Sequence, residues 1–188
     1  MKKLIVKTVA ITLALLTVVF VGGYLICATF APQVLGNVYF NAQSEKLPLK
    51  YSEKAYQKSR DISDLATLTE RCIVFGDKDK IISYGVSFIN DGEYEDFILG
   101  KGDGYHYYIV GSICSAEYEV GYKQVAIDRA FSNTGEYVSL NPVHKLIILS
   151  AQSNDTATLT DIKTRLQNRQ NKNQLINDHL NLIEELIN

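Results

Sequence analysis

Tryptophan is absent from this chain, methionine occurs once, and cysteine, histidine and proline occur three times each. So few histidines and cysteines leave little from which to build a metal or acid–base centre. No C-x-x-C occurs, and no Cys/His cluster has zinc spacing. The G-x-S-x-G and H-E-x-x-H patterns are missing as well. His106, His144 and His179 fall on three different predicted helices, none with a local partner motif. The sequence therefore assigns no catalytic, cofactor-binding or metal-binding residue. A hydrolase-like site would require the fold to bring a carboxylate beside His106 or His144.

Charge of one sign is also lacking. The net charge is −2 with a pI near 5.9, and both signs are interspersed. Without a basic stripe, nucleic acid is not an expected partner. The run Gly100-Lys101-Gly102-Asp103-Gly104 is not a phosphate loop, because a glycine follows the lysine and no strand precedes it. It reads as a linker. Asp91, Glu93, Glu95, Asp96 and Asp103 do not follow the EF-hand spacing, so they read as a solvated acidic surface. Cys72 and Cys114 sit in apolar helical patterns, where a thiol behaves as a small hydrophobe. Both are expected as buried thiols.

What the chain does have is one long apolar run. Residues 8–30, TVAITLALLTVVFVGGYLICATF, carry no charge. As a helix they reach about 35 Å, enough for a hydrocarbon core of about 30 Å with some tilt. Lipid offers no partner to backbone polar groups, which selects helix despite the β-branched residues. Lys2, Lys3 and Lys7 precede the run, and the next lysine is Lys46. The positive-inside rule then puts residues 1–7 in the cytoplasm, the span at 8–30 and the domain of residues 33–188 outside. A cleaved signal peptide is the rival reading. Its apolar region is normally shorter, and the best small-residue site, Thr29-Phe30-Ala31, is followed by Pro32. The usage of Ile, Asn, Lys and Tyr suits an AT-rich bacterial genome.

The remainder reads as all-α. Val34, Leu35, Val38, Tyr39 and Ala42 recur at helical steps. Pro48 suits the first turn of the next helix. Asp61 is placed as an N-cap before Ile62, Leu65, Leu68, Cys72 and Ile73, and Gly76-Asp77 as the turn into Ile81 to Ile89. Residues 61–92 are thus expected to form an αα-hairpin. Glu93 to Leu99 reads as a short helix, and Tyr105 to Phe131 as the longest one, with Gly121 as a kink. Ser132 to Gly135 is a loop. Asn141-Pro142 opens a helix whose run Ile147-Ile148-Leu149 suggests central burial. Asn154 or Asp155 caps the next helix. A polar joint at 168–173 leads to a last one with Ile176, Leu180 and Ile183 on its face.

A shift of 33 positions places Leu35 on Leu68, Tyr39 on Cys72, Phe40 on Ile73, Leu49 on Ile82 and Tyr51 on Tyr84. Two helices per unit near this period resemble a degenerate tetratricopeptide array. The family's Trp, Leu-Gly and late Pro do not appear. The resemblance implies stacked antiparallel hairpins, an α-solenoid, with a face for a peptide or protein; an irregular bundle gives nearly the same match. Tyr84, Tyr105, Tyr107 and Tyr108 are the candidate partner-binding surface, since a tyrosine ring packs while its hydroxyl stays wet. The expected function is a membrane-anchored protein-interaction or assembly module at the cell surface. The alternative is a structural accessory subunit of a larger membrane complex, bound mainly through its span. Its expected contacts are membrane lipid through residues 8–30 and a protein or peptide partner.

An uncleaved anchor predicts that the chain recovered from the membrane fraction has the full intact mass of 21.1 kDa. A chain beginning after Ala31 would instead report removal of the leader.

Overall fold

A computed structural model describes residues 2–44, 46–133, 141–170 and 173–187, with the backbone alone for residues 2–6. Among these residues every regular element is a helix: α1 Lys2–Phe30, α2 Pro32–Asn41, α3 Leu47–Ser59, α4 Ile62–Phe75, α5 Lys78–Ile89, α6 Tyr94–Leu99, α7 Asp103–Glu119, α8 Lys123–Ser132, α9 Asn141–Gln152, α10 Thr156–Gln167 and α11 Gln174–Ile187. The chain divides into two compact units, Met1–Arg71 and Cys72–Asn188.

In the N-terminal unit, Lys7–Phe30 of α1 is long and apolar enough to cross a membrane, and the unit leaves it uncovered. Pro32 stands in the first turn of α2, where its missing N–H costs nothing, and Pro48 does the same for α3. The two helices pack on each other. Arg71 ties them to α4. Its guanidinium donates to Ser52 Oγ on α3 and to Asn37 Oδ1 on α2, and it stacks over the Phe40 ring at 5.4 Å. Gly36 makes room for it, since a Cβ there would lie 2.6 Å from the Arg71 guanidinium.

In the C-terminal unit, α7 is the axis. It packs against α5, α6, α8 and α9, while α9 packs on α10 and α10 on α11. The core joins Val110 and Cys114 of α7 to Ala126, Ile127 and Ala130 of α8, and to Val143, Leu146 and Ile147 of α9. Leu159, Ile162 and Leu166 of α10 and Ile176 and Ile183 of α11 complete it. Burying each such Leu or Ile side chain contributes about 1.5–3 kcal/mol. Cys72 and Cys114 are buried and not joined in a disulfide. Burial pushes the Cys114 thiol up to about 12.

Short helices need closed ends, and one device recurs. Gly76, at φ +69°, ends α4: its N–H bonds the Ile73 carbonyl and the Asp77 N–H bonds that of Cys72. This is the Schellman arrangement. Asp77 then caps α5 by accepting from the Lys80 N–H at 3.2 Å. The same pairing joins α9 to α10. Asn154, at φ +54°, is followed by Asp155, which accepts from the Thr158 N–H at 3.1 Å. Asp61 accepts from the Ser63 N–H at 2.7 Å after Arg60, also left-handed.

Two expectations change. The helix read over Tyr105 to Phe131 is two helices, because Gly121 stops rather than bends it. At φ +97° it lets the Tyr122 N–H return to the Glu117 carbonyl, and α8 begins afresh. The run Ile147-Ile148-Leu149 is not buried all round. Side chains 100° apart face different ways, so Ile147 is fully buried while Ile148 is 36% exposed. Of the loop read at 132–135, Asn133 closes α8, and Thr134 and Gly135 lie outside the described residues, as do Asn171 and Lys172 of the polar joint.

An ion pair clamps α7 to α8 across the Gly121 turn. Glu117 is 2% exposed and accepts three hydrogen bonds from Arg129, at 2.7–3.1 Å. The fork geometry suits a carboxylate well. Arg129→Met is expected to cost about 3–5 kcal/mol in urea unfolding of the solubilised chain, because Glu117 is left charged and buried. Adding Glu117→Met should recover most of that loss, since no buried charge then remains.

Candidate functional site

The C-terminal unit contains a groove of about 230 Å³ between α5, α7 and α9. Ile73, Ile81 and Ala116 supply apolar lining. At one end Lys78 of α5 pairs with Glu119 of α7 at 2.6 Å. In the wall stands Lys145 of α9, which is half-buried. Its ammonium lies 5.7 Å from the centre of the Tyr108 ring, and among the described residues no carboxylate comes within ion-pair distance. Burial draws its pKa below the ordinary lysine value. Gly111 makes space for the stem of Lys145, since a Cβ there would sit 3.0 Å from its Cδ.

Ser112 and Ser115 also line the groove. Their hydroxyls donate back to the Tyr108 and Gly111 carbonyls, each at 2.8 Å. Those protons are engaged with backbone, so neither serine is paired with a base as a nucleophile must be. The groove therefore offers an apolar floor, hydroxyl acceptors and a cation that, among the described residues, has no carboxylate. That set suits a ligand with an apolar body and a carboxylate.

The four tyrosines part company. Tyr108 is 38% exposed, and its ring lies under the Lys145 ammonium. Tyr105 is half-buried and meets Phe88 edge-on at 6.4 Å and Phe97 at 6.3 Å. Tyr107, only 8% exposed, lies against the His106 ring. Tyr84 is half-buried on α5. Successive residues of α7 point 100° apart, so 105, 107 and 108 cannot share one face.

The histidines are tied into structure. His106 bonds Tyr94 Oη through Nδ1 at 2.8 Å and also bonds the Asn133 backbone. Burial pushes the Tyr94 phenol up to about 12, so it stays protonated and donates. His144 Nδ1 and His179 Nε2 lie 3.2 Å apart, and His179 Nδ1 faces the Leu175 carbonyl at 2.7 Å. A carbonyl only accepts, which fixes the proton on His179 Nδ1 and makes His144 Nδ1 the donor to His179.

Sequence reasoning missed Lys145. A signal was present: it is the only formally charged side chain in α9, inside an otherwise apolar stretch. Compared with known proteins, the chain matches no family model, no curated protein and no solved structure.

Burial, with the nearby His179 ring adding to it, lowers the pKa of His144, and burial lowers that of His106. The unfolded chain then binds protons near the ordinary histidine value of about 6.5 while the folded chain holds them off. Stability is accordingly full above that pH and is lost as the pH falls below it. The thermal midpoint should drop between pH 7.5 and 5, and His144→Gln should flatten part of that slope, leaving the His106 part.

Proposed function

We propose that the protein is a membrane-anchored helical interaction module, with α1 in the bilayer and the α5–α7–α9 groove holding a short segment of a protein partner. The segment has an apolar stretch and a carboxylate. The observation that carries this reading is Lys145, a half-buried cation with no carboxylate within ion-pair distance among the described residues. Burying an unpaired charge is costly, and an incoming anion offsets that cost. Tyr108 belongs to the contact as the platform under Lys145. Tyr107 supports α7 from within.

The chain crosses the cell membrane once, with residues 1–7 cytoplasmic and the helical part outside, as the N-terminal lysines argue. The helices form a degenerate tetratricopeptide-like array. In support, α2 and α3 recur as α4 and α5 at the shift of 33, and the equivalent residues Leu35 and Leu68 are both buried. Anchoring raises the effective concentration of the groove near membrane-bound partners.

Photo-crosslinking in native membranes tests this. A crosslinker at Ser112 in the groove is expected to capture a protein, and Lys145→Glu to abolish the adduct while the circular dichroism spectrum is retained. A crosslinker at exposed Thr160 on α10 should capture nothing specific. Adducts formed only from a crosslinker at Val19 in α1 would overturn the groove reading in favour of an accessory subunit held through its span.

A further inference from the structure

We propose that His144 and His179 are the two protein ligands of a zinc site that staples α11 to α9. The site depends neither on the groove nor on the span.

The two rings come from elements far apart in sequence. His144 stands in the first turn of α9, and His179 lies in α11, 35 positions later. Ile176 and Ile183 carry α11 into the core, and they stand three residues before and four after His179. That spacing puts His179 on the same face, and it is 8% exposed. On α9, Val143 and Leu146 are buried while His144 is exposed, so its ring reaches over from the rim. Packing of α11 on α9 brings the ring centres to 5.2 Å, with the planes crossed at 86°.

The separation suits an ion. His144 Nδ1 and His179 Nε2 are 3.2 Å apart. Two nitrogens on one tetrahedral zinc, each bonded at about 2.0–2.1 Å, are about 3.3–3.4 Å apart. The pair therefore needs almost no movement to accept the metal. Because a hydrogen bond joins them, both nitrogens already aim into the gap between the rings.

His179 also has the outer bond that metal-bound histidines make. Its Nδ1–H donates to the Leu175 carbonyl at 2.7 Å. This fixes the tautomer, orients the ring and leaves the Nε2 lone pair free for a cation. His144 adjusts to suit. Without metal its Nδ1–H donates to His179. With zinc that proton passes through water to Nε2, and Nδ1 becomes the second ligand. No proton is lost overall, and two coordinate bonds replace one hydrogen bond.

Among the described residues no third His, Cys, Asp or Glu joins the pair. Two waters complete the four-coordinate shell, entering from the exposed His144 side. Imidazole ligands select a borderline transition cation, whereas magnesium and calcium prefer oxygen. With only two protein ligands, the site fills and empties with the free zinc concentration, and the hold on α11 follows it.

The test titrates zinc chloride into the full-length, tag-free chain in detergent micelles at neutral pH, after stripping with EDTA. The wild type should take up one zinc per chain and gain about 4 °C in thermal midpoint. EDTA should reverse both, and excess magnesium should displace nothing. His144→Gln keeps a donor toward His179, so it should melt like the wild type in EDTA yet lose the uptake and the zinc-dependent gain. Cys27→Ser should keep both. A wild type that takes up no zinc, undiminished uptake by His144→Gln, loss of uptake in Cys27→Ser, or displacement by magnesium would each overturn the proposal.

Discussion

A long apolar helix left uncovered by its own unit is costly in water, and that cost bears on the whole N-terminal half of this protein. Every side chain of α1 from Leu13 to Val21 apart from the two threonine-sized or smaller ones is a large hydrophobe left bare by its own unit. Lipid, or any other apolar surface, would lower the free energy of those side chains. Once α1 is in a bilayer, the depth of everything attached to it is set. The Tyr24–Tyr51 contact and the two lysine-to-carbonyl bonds fix α3 against the end of the span. Lys54 and Lys58 are thereby placed by geometry and not by sequence distance. A linear charge count sees lysines before the span and none close after it. Folding puts two at its far end, so the asymmetry used to orient the chain is smaller in space than along the sequence.

The C-terminal unit answers to a different constraint. Its helices are only 6 to 17 residues long, too short to be stable without closed ends and tertiary packing. A left-handed residue followed by an aspartate supplies both a stop and a start within two positions. Asp155 carries this furthest. It caps α10, accepts from Thr158 Oγ1 at 2.7 Å and from Tyr118 Oη at 3.0 Å, and pairs with Lys123 at 2.7 Å. Burial works against its charge, yet the bonds from Lys123, Thr158 and Tyr118 hold its pKa well below the usual carboxylate range. One side chain thus joins the end of α7, the start of α8 and the α9–α10 turn.

Local signals were legible in the sequence, and long-range ones were not. Gly76-Asp77 and Asp61 announced their turns because a cap is made by residues two or three apart. Gly121 was visible as a disturbance, but kink and stop differ only in whether the next N–H finds the Glu117 carbonyl, which periodicity does not encode. The Glu117–Arg129 clamp spans 12 positions and a turn, and no helical spacing points to it. The tyrosine cluster misled in a specific way. Adjacent letters suggest one patch, whereas a helix distributes adjacent residues around its axis, leaving Tyr108 exposed under Lys145 and Tyr107 inside.

Lys145 breaks the rules that the rest of the unit follows. Elsewhere the most deeply buried charge has a partner: Glu117 has Arg129, and Asp155 has Lys123. Lys145 has the face of Tyr108 and a backbone cleared for it by Gly111. A cation–π contact contributes about 0.5–2 kcal/mol, which does not match the desolvation of an ammonium as a carboxylate does. A methionine would fill the same volume without that cost. Local departures from otherwise consistent folding logic gather at sites kept for something other than stability. Among the described residues, Lys145 is thus a half-buried cation without a carboxylate, and the proposed groove draws on that departure.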